Sequence, residues 1–277
     1  MCEMQLDLFS ATGIPPKSHA RPDVGQPELA AAELDDEALI AAIPSAGIAD
    51  APALAAEAGR RRLVTAVAAL EQLCLRFAGF GLERAVPEQV AALGAFALID
   101  GPESAQTVAR LITRCIVQGP TRKIAVGVAA QLKSALPAET ALALLHHADP
   151  DLRADACRCT GAWPAAIPVL LDLTVDSDSS VRVAAFCALG RLGRREARPA
   201  LAGLLRAAPS LEIIEAVPRI ADEDCVIVLG RIARTQPALA DAARDALEII
   251  DHPRARQVVA ALEAERDQPG RDGAVRP

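Results

Sequence analysis

Aromatic residues are nearly missing from this chain. They make up 2% of it, with no tyrosine and one tryptophan. A β-sandwich fills its pleated faces with aromatic and β-branched residues, so this composition disfavours one. The same scarcity removes the rings on which unpaired bases stack. No uninterrupted apolar run reaches the roughly 18 residues of a membrane span. The N-terminal stretch holds no basic segment followed by an apolar one, so no secretory signal is expected and the expected location is the cytoplasm. Lysine is scarce, and arginine supplies nearly all the positive charge. The net charge of −7 and pI of about 5.2 argue against a surface that tracks nucleic acid along its whole length.

Catalytic signatures are missing as well. The chain holds no glycine-rich phosphate loop, no nucleophile elbow and no His-Glu zinc motif. Its seven cysteines, Cys2, Cys74, Cys115, Cys157, Cys159, Cys187 and Cys225, are odd in number and irregularly spaced. Most sit inside apolar helical patterns, as buried reduced thiols do. Cys157 and Cys159 invite a metal reading, but residues two apart on a helix point to nearly opposite faces. No second cysteine or histidine cluster stands at zinc spacing. His146-His147 ends a predicted helix, where imidazoles suit the dipole and cap the chain. The expectation is a protein that is not an enzyme and uses no cofactor and no metal.

What the chain does have is helical periodicity. At 277 residues, 52% of them hydrophobic, it can bury a large core. From Asp149 to Leu205 the pattern is clearest. Asp149 is a natural helix cap and Pro150 a natural first residue. Leu152, Ala156 and Cys159 follow at helical spacing, and Gly161 breaks the run. A second helix carries Ile167, Leu170, Leu171 and Leu173. The pattern then restarts at Ser179-Ser180, with Val181, Ala184, Ala185, Ala188 and Leu189 on one face. Gly190 and Gly193 punctuate its end. Leu152-Arg153 and Val181-Arg182 occupy matching places in successive hairpins. A helical hairpin that recurs cannot bury its apolar face alone, so its neighbours stack into a solenoid.

The rest of the chain reads the same way in weaker form. Helices are expected near 28–43, from about Pro52 to Phe77, from Pro87 to Leu98, after Pro102, at about 121–134 and at about 137–147. A later helix is expected through Leu211, Ile214, Val217 and Ile220, kinked or ended by Pro218. Further helices follow at Val226–Ile232, Pro237–Leu247 and 252–265. The organisation is then a peptide at 1–10, a Pro/Gly-rich linker at 11–27 expected to be disordered, a solenoid at 28–265 and a polar tail at 266–277. The expected fold class is all-α, a curved α-solenoid of some six or seven hairpins.

The run Asp-x-x-Val-Arg-x-x-Ala-x-x-Ala-Leu-Gly, Asp178 to Gly190, resembles the HEAT-like repeat of phycobilisome lyases and many bacterial scaffold proteins. That resemblance implies a protein-binding solenoid. Some alkylpurine DNA glycosylases share HEAT-like repeats, which draws attention to Trp163 with Asp172 or Asp176. Those enzymes work on a basic, aromatic face that this chain lacks, and Trp163 reads instead as a packing residue at a hairpin turn.

Two stretches are candidates for contact. Arg191, Arg194, Arg195 and Arg198 form a basic cluster suited to phosphate or to an acidic protein partner, with at most weak DNA contact. Arg60-Arg61-Arg62 forms another. The sharper signal is Gln5-Leu6-Asp7-Leu8-Phe9. It resembles, at all five positions, the peptide by which many bacterial replication and repair proteins bind the sliding clamp. In that family the glutamine enters a polar pocket, the Leu-Phe pair fills an apolar one and the middle residue faces outward. Three large apolar residues ahead of a polar linker also suit a tethered ligand, since a linker of about 18 residues reaches roughly 20–25 Å. Two readings stand side by side: an adaptor recruited to the sliding clamp, or a HEAT-like scaffold or maturation factor whose N-terminus packs as a cap.

Overall fold

Asp178 begins the clearest repeat. Its carboxylate accepts the N–H of Ser180 at 2.8 Å and so satisfies one of the free donors that every helix start exposes. Asp149 does the same for the N–H of Asp151 at 3.0 Å, with Pro150 in the first position. Caps of this kind begin several of the sixteen α-helices found among residues 27–266, the part of the chain that the computed structural model describes. Gln5 to Phe9 and the linker before Pro27 lie outside the described residues.

The helices are α1 Pro27–Glu33, α2 Asp36–Ala42, α3 Ala51–Arg60, α4 Val67–Arg76, α5 Pro87–Ile99, α6 Gly101–Thr113, α7 Gly119–Gln131 and α8 Ala138–Leu145. They continue as α9 Pro150–Arg158, α10 Ala166–Leu173, α11 Ser179–Arg191, α12 Arg198–Ala207, α13 Leu211–Ala216, α14 Glu223–Thr235, α15 Ala240–Ile249 and α16 Pro253–Arg266. Consecutive pairs, α2/α3 through α14/α15, fold back on each other as hairpins. Odd-numbered helices from α3 to α15 each pack on the next odd one and make one layer. The second layer packs as α4 on α6, α8 on α10, and α12 on α14 on α16. The result is the expected curved α-solenoid. One contiguous core, mostly alanine, leucine, valine and isoleucine, runs between the layers from Ala31 to Leu262. Among the described residues no helix is long and apolar enough to cross a membrane.

The expected helix from Pro52 to Phe77 is two. α3 stops at Arg60, Arg62 takes a left-handed conformation (φ 52°), and the Leu63 N–H donates back to Ala58 O at 3.1 Å. The chain then crosses to the other layer. Periodicity misses this because Arg61 and Arg62 are tolerated in helices and Leu63 stays in phase with the apolar face. α7 and α11 close in the same way, with Lys133 (φ 52°) and Gly193 (φ 74°) in the left-handed place. The helix expected through Ile220 ends at Ala216, two residues before the Pro218 ring that would obstruct it.

The recurring arginine has a structural task. Arg153 donates to the carbonyls of His147 and Ala148 at 2.9 and 2.8 Å, stapling the loop before its own helix. Its remaining donors reach Asp176 of the next hairpin at 2.9 Å. Arg182 repeats the staple on Asp176 O and Ser177 O at 2.7 and 2.9 Å. Lys123 of α7 joins Asp149 and Asp151 at 2.8 and 2.7 Å, so successive hairpins are tied by charge along one edge.

Candidate functional site

A groove of about 620 Å³ crosses the odd-numbered layer. Gly127 and Ala130 of α7, with Gly161 and Ala162 after α9, leave little side chain along it. Gly127 is already close to its neighbour: a Cβ there would lie 3.4 Å from Asp155 Oδ2. The two loops that frame the groove are stitched together. Leu136 N–H donates to Cys159 O at 3.0 Å, and the Trp163 indole donates to Leu136 O at 3.1 Å. The indole lies over Gly161, where a Cβ would be 2.9 Å from Nε1. Trp163, 38% exposed, lies in the loop between α9 and α10, which joins two hairpins, and is not at the turn within one.

Charge crosses this groove in an unusual way. Lys133, at the end of α7, donates to Glu215 of α13 at 2.7 Å, and these residues are 82 positions apart. Arg158, at the end of α9, donates to Glu212 of α13 at 3.1 Å and to Asp155 at 2.9 Å. Burial works against the Arg158 cation, but Glu212 and Asp155 outweigh it and its pKa is raised. Packed helices lie 8–10 Å apart, so a straight stack would set α7 and α13 roughly 25–30 Å apart. Extended lysine and glutamate side chains can join backbones only about 14 Å apart. The odd layer therefore curls sharply between α7 and α13, with α9 and α11 as the floor. Gly190 permits the curl. A Cβ there would sit 2.5 Å from Ala216 O, so α11 meets the end of α13 backbone to side-chain-free backbone. A second hollow of about 590 Å³, lined by Lys123, Asp151 and Ser180, shares Asp155 and Arg158 and extends the groove toward the helix N-termini.

The members of the arginine cluster have different partners. Arg191 lines the groove and donates to Cys157 O at 3.2 Å. Arg194 pairs with Glu196 at 2.5 Å, Arg198 donates to Ile220 O at 2.7 Å, and Arg195 is exposed. Of Arg60 to Arg62, the first two bind Glu57 at 2.6 Å. Sequence reading missed Lys133, Arg158 and Arg219 as groove cations and Glu212 and Glu215 as their counterparts. The available signal was position: Lys133, Arg158 and Arg191 each stand at the end of an odd-layer helix.

Burial pushes the Cys157, Cys159 and Cys187 thiols up to about 12, which keeps them protonated at neutral pH. His147 is used locally, its Nδ1 accepting the Asp149 N–H at 3.0 Å. Among the described residues no group of three His, Cys, Asp or Glu side chains is placed to hold a metal ion.

No curated protein matches the sequence. Residues 138–217, which hold α8 to α13 and most of the groove, match the family model for HEAT repeats.

Proposed function

We propose that the protein is a non-enzymatic cytoplasmic adaptor. Its solenoid holds a segment of a protein partner in the groove between α7 and α13, and its N-terminal peptide recruits it to the bacterial sliding clamp. HEAT repeats are typically protein-interaction scaffolds, because their stacked hairpins expose an extended surface. The observation that carries the scaffold reading is the groove itself, which spans four successive odd-layer helices and is lined by paired charges and little bulk. Recruitment rests on Gln5-Leu6-Asp7-Leu8-Phe9, which is similar to the clamp-binding peptide at every position.

Burying Leu8 and Phe9 in an apolar pocket contributes roughly 1.5–3 kcal/mol each. Ordering the peptide offsets much of that, so affinity should be on the order of micromolar. The test is calorimetric titration of the full chain against purified bacterial clamp. Leu8→Ala with Phe9→Ala should abolish binding, while Asp7→Ser should bind as the parent does. If the parent does not bind and the double variant instead melts several degrees lower, these residues are a cap, and the scaffold-only reading replaces this one.

A further inference from the structure

Arg158 and Arg191 end odd-layer helices, Lys133 follows α7 and Arg219 follows α13, so four cations stand along one groove. Three carboxylates face them. Asp155 belongs to the floor, on α9. Glu212 and Glu215 come from the short helix α13, on the far wall. Both reach back along the odd layer, to the ends of α7 and α9. Their ion pairs bridge the groove between its walls. Neither pair is buried: the side chains of Lys133 and Glu215 are 69% and 36% exposed, and those of Arg158 and Glu212 are 31% and 28% exposed. The exposed Lys133–Glu215 pair is weak and exchangeable, and the half-buried Arg158–Glu212 pair is partly open to solvent.

We propose that Glu212 and Glu215 are an internal stand-in for the carboxylates of the partner, and that the groove takes an acidic, extended peptide segment that displaces them. This rests on the reading of the groove as a protein-binding site and names the partner's chemistry. With the two glutamates swung aside, four cations face Asp155 alone, although the chain as a whole is acidic. The glycines and alanines along the groove admit a peptide backbone, and Leu211 and Leu192 offer apolar contact between its acidic residues. Arginine presents a planar fork that fits a carboxylate with two parallel bonds, and three of the four cations are arginines.

The experiment measures fluorescence anisotropy of short labelled peptides with the full chain. One probe alternates glutamate and leucine, one has lysine for glutamate, and one has glutamine. A single-stranded thymidine oligonucleotide is the fourth. The acidic peptide should bind, and raised salt should weaken it. Glu212→Gln with Glu215→Gln should tighten it roughly three- to tenfold, since the competing pairs are lost. Arg158→Gln should weaken it. Glu139→Gln with Glu248→Gln makes the same charge change on exposed carboxylates elsewhere and should leave affinity unchanged. Unchanged or weaker binding by the Glu212/Glu215 variant would overturn the stand-in. Equal or tighter binding of the lysine or glutamine peptide would overturn the acidic partner while the groove remains a peptide site. Failure of every peptide would remove both readings, as would preference for the oligonucleotide.

Discussion

Replacing Gly190 by alanine tests whether the curl between α7 and α13 is built by close backbone approach. Glycine inside an exposed helix costs about 1 kcal/mol relative to alanine. Gly94 in α5 and Gly203 in α12 have open space where a Cβ would go, so Gly94→Ala and Gly203→Ala should each stabilise by up to about 1 kcal/mol. At Gly190 the new methyl would meet Ala216 O at 2.5 Å and Leu201 Cδ1 at 2.7 Å. The leucine can turn away, but the carbonyl belongs to the end of α13 and can move only with the helix. Forcing an extra carbon into such a contact costs typically 1–3 kcal/mol. Set against the propensity gain, Gly190→Ala should lose about 1 kcal/mol, leaving a gap of about 2 kcal/mol to the other two variants. Urea denaturation measures it. In a chain of this size each kcal/mol moves the melting temperature by about 2–4 °C. The displaced α13 should also part Glu212 and Glu215 from Arg158 and Lys133, so the acidic peptide should bind Gly190→Ala with altered affinity. If Gly190→Ala gains as much stability as Gly94→Ala, the crossing is loose and the curl has another origin.

The charge ties differ in weight. Arg153 and Asp176 have side chains 15% and 9% exposed, so Arg153→Met should cost roughly 3 kcal/mol in denaturation, whereas Lys133→Met, which breaks an exposed pair, should cost under about 1 kcal/mol. Hydrogen bonds from Arg60, and then from Arg61, hold the Glu57 carboxyl at about 2, against an ordinary 4.5, although burial pulls the other way. A depressed folded-state pKa contributes stability above pH 4.5 that is lost as pH falls through about 2. The stability gap between the parent and Glu57→Gln should thus close between these values, and a gap constant from pH 7 to pH 2 would refute the pairing. Cys115 is exposed while Cys74, Cys157, Cys159, Cys187 and Cys225 are buried. In a Cys2→Ser background a thiol reagent at pH 8 should label one site quickly, and peptide mapping should find Cys115.

The sequence by itself determined the local grammar of this protein. Asp149-Pro150 and Asp178 are caps wherever a helix begins, because the donor they satisfy is two residues away. The apolar spacing from Val181 to Leu189 needs only helix geometry to define a buried face, and all five of its apolar positions are buried. Gly193 ends α11 because a left-handed turn suits glycine. Hairpins and their stacking into a solenoid follow from such short-range rules. Tertiary structure decided the rest. The break after Arg60 is set by Leu63 crossing to the second layer, which no spacing records. Arg194 is drawn to Glu196 and Arg198 to the Ile220 carbonyl, so tertiary partners engage two arginines of the sequence cluster. The groove depends on pairs 54 and 82 residues apart, Arg158 with Glu212 and Lys133 with Glu215. Their meeting is the sum of several interhelical angles, each set by how closely two backbones approach, as at Gly190 and Ala216.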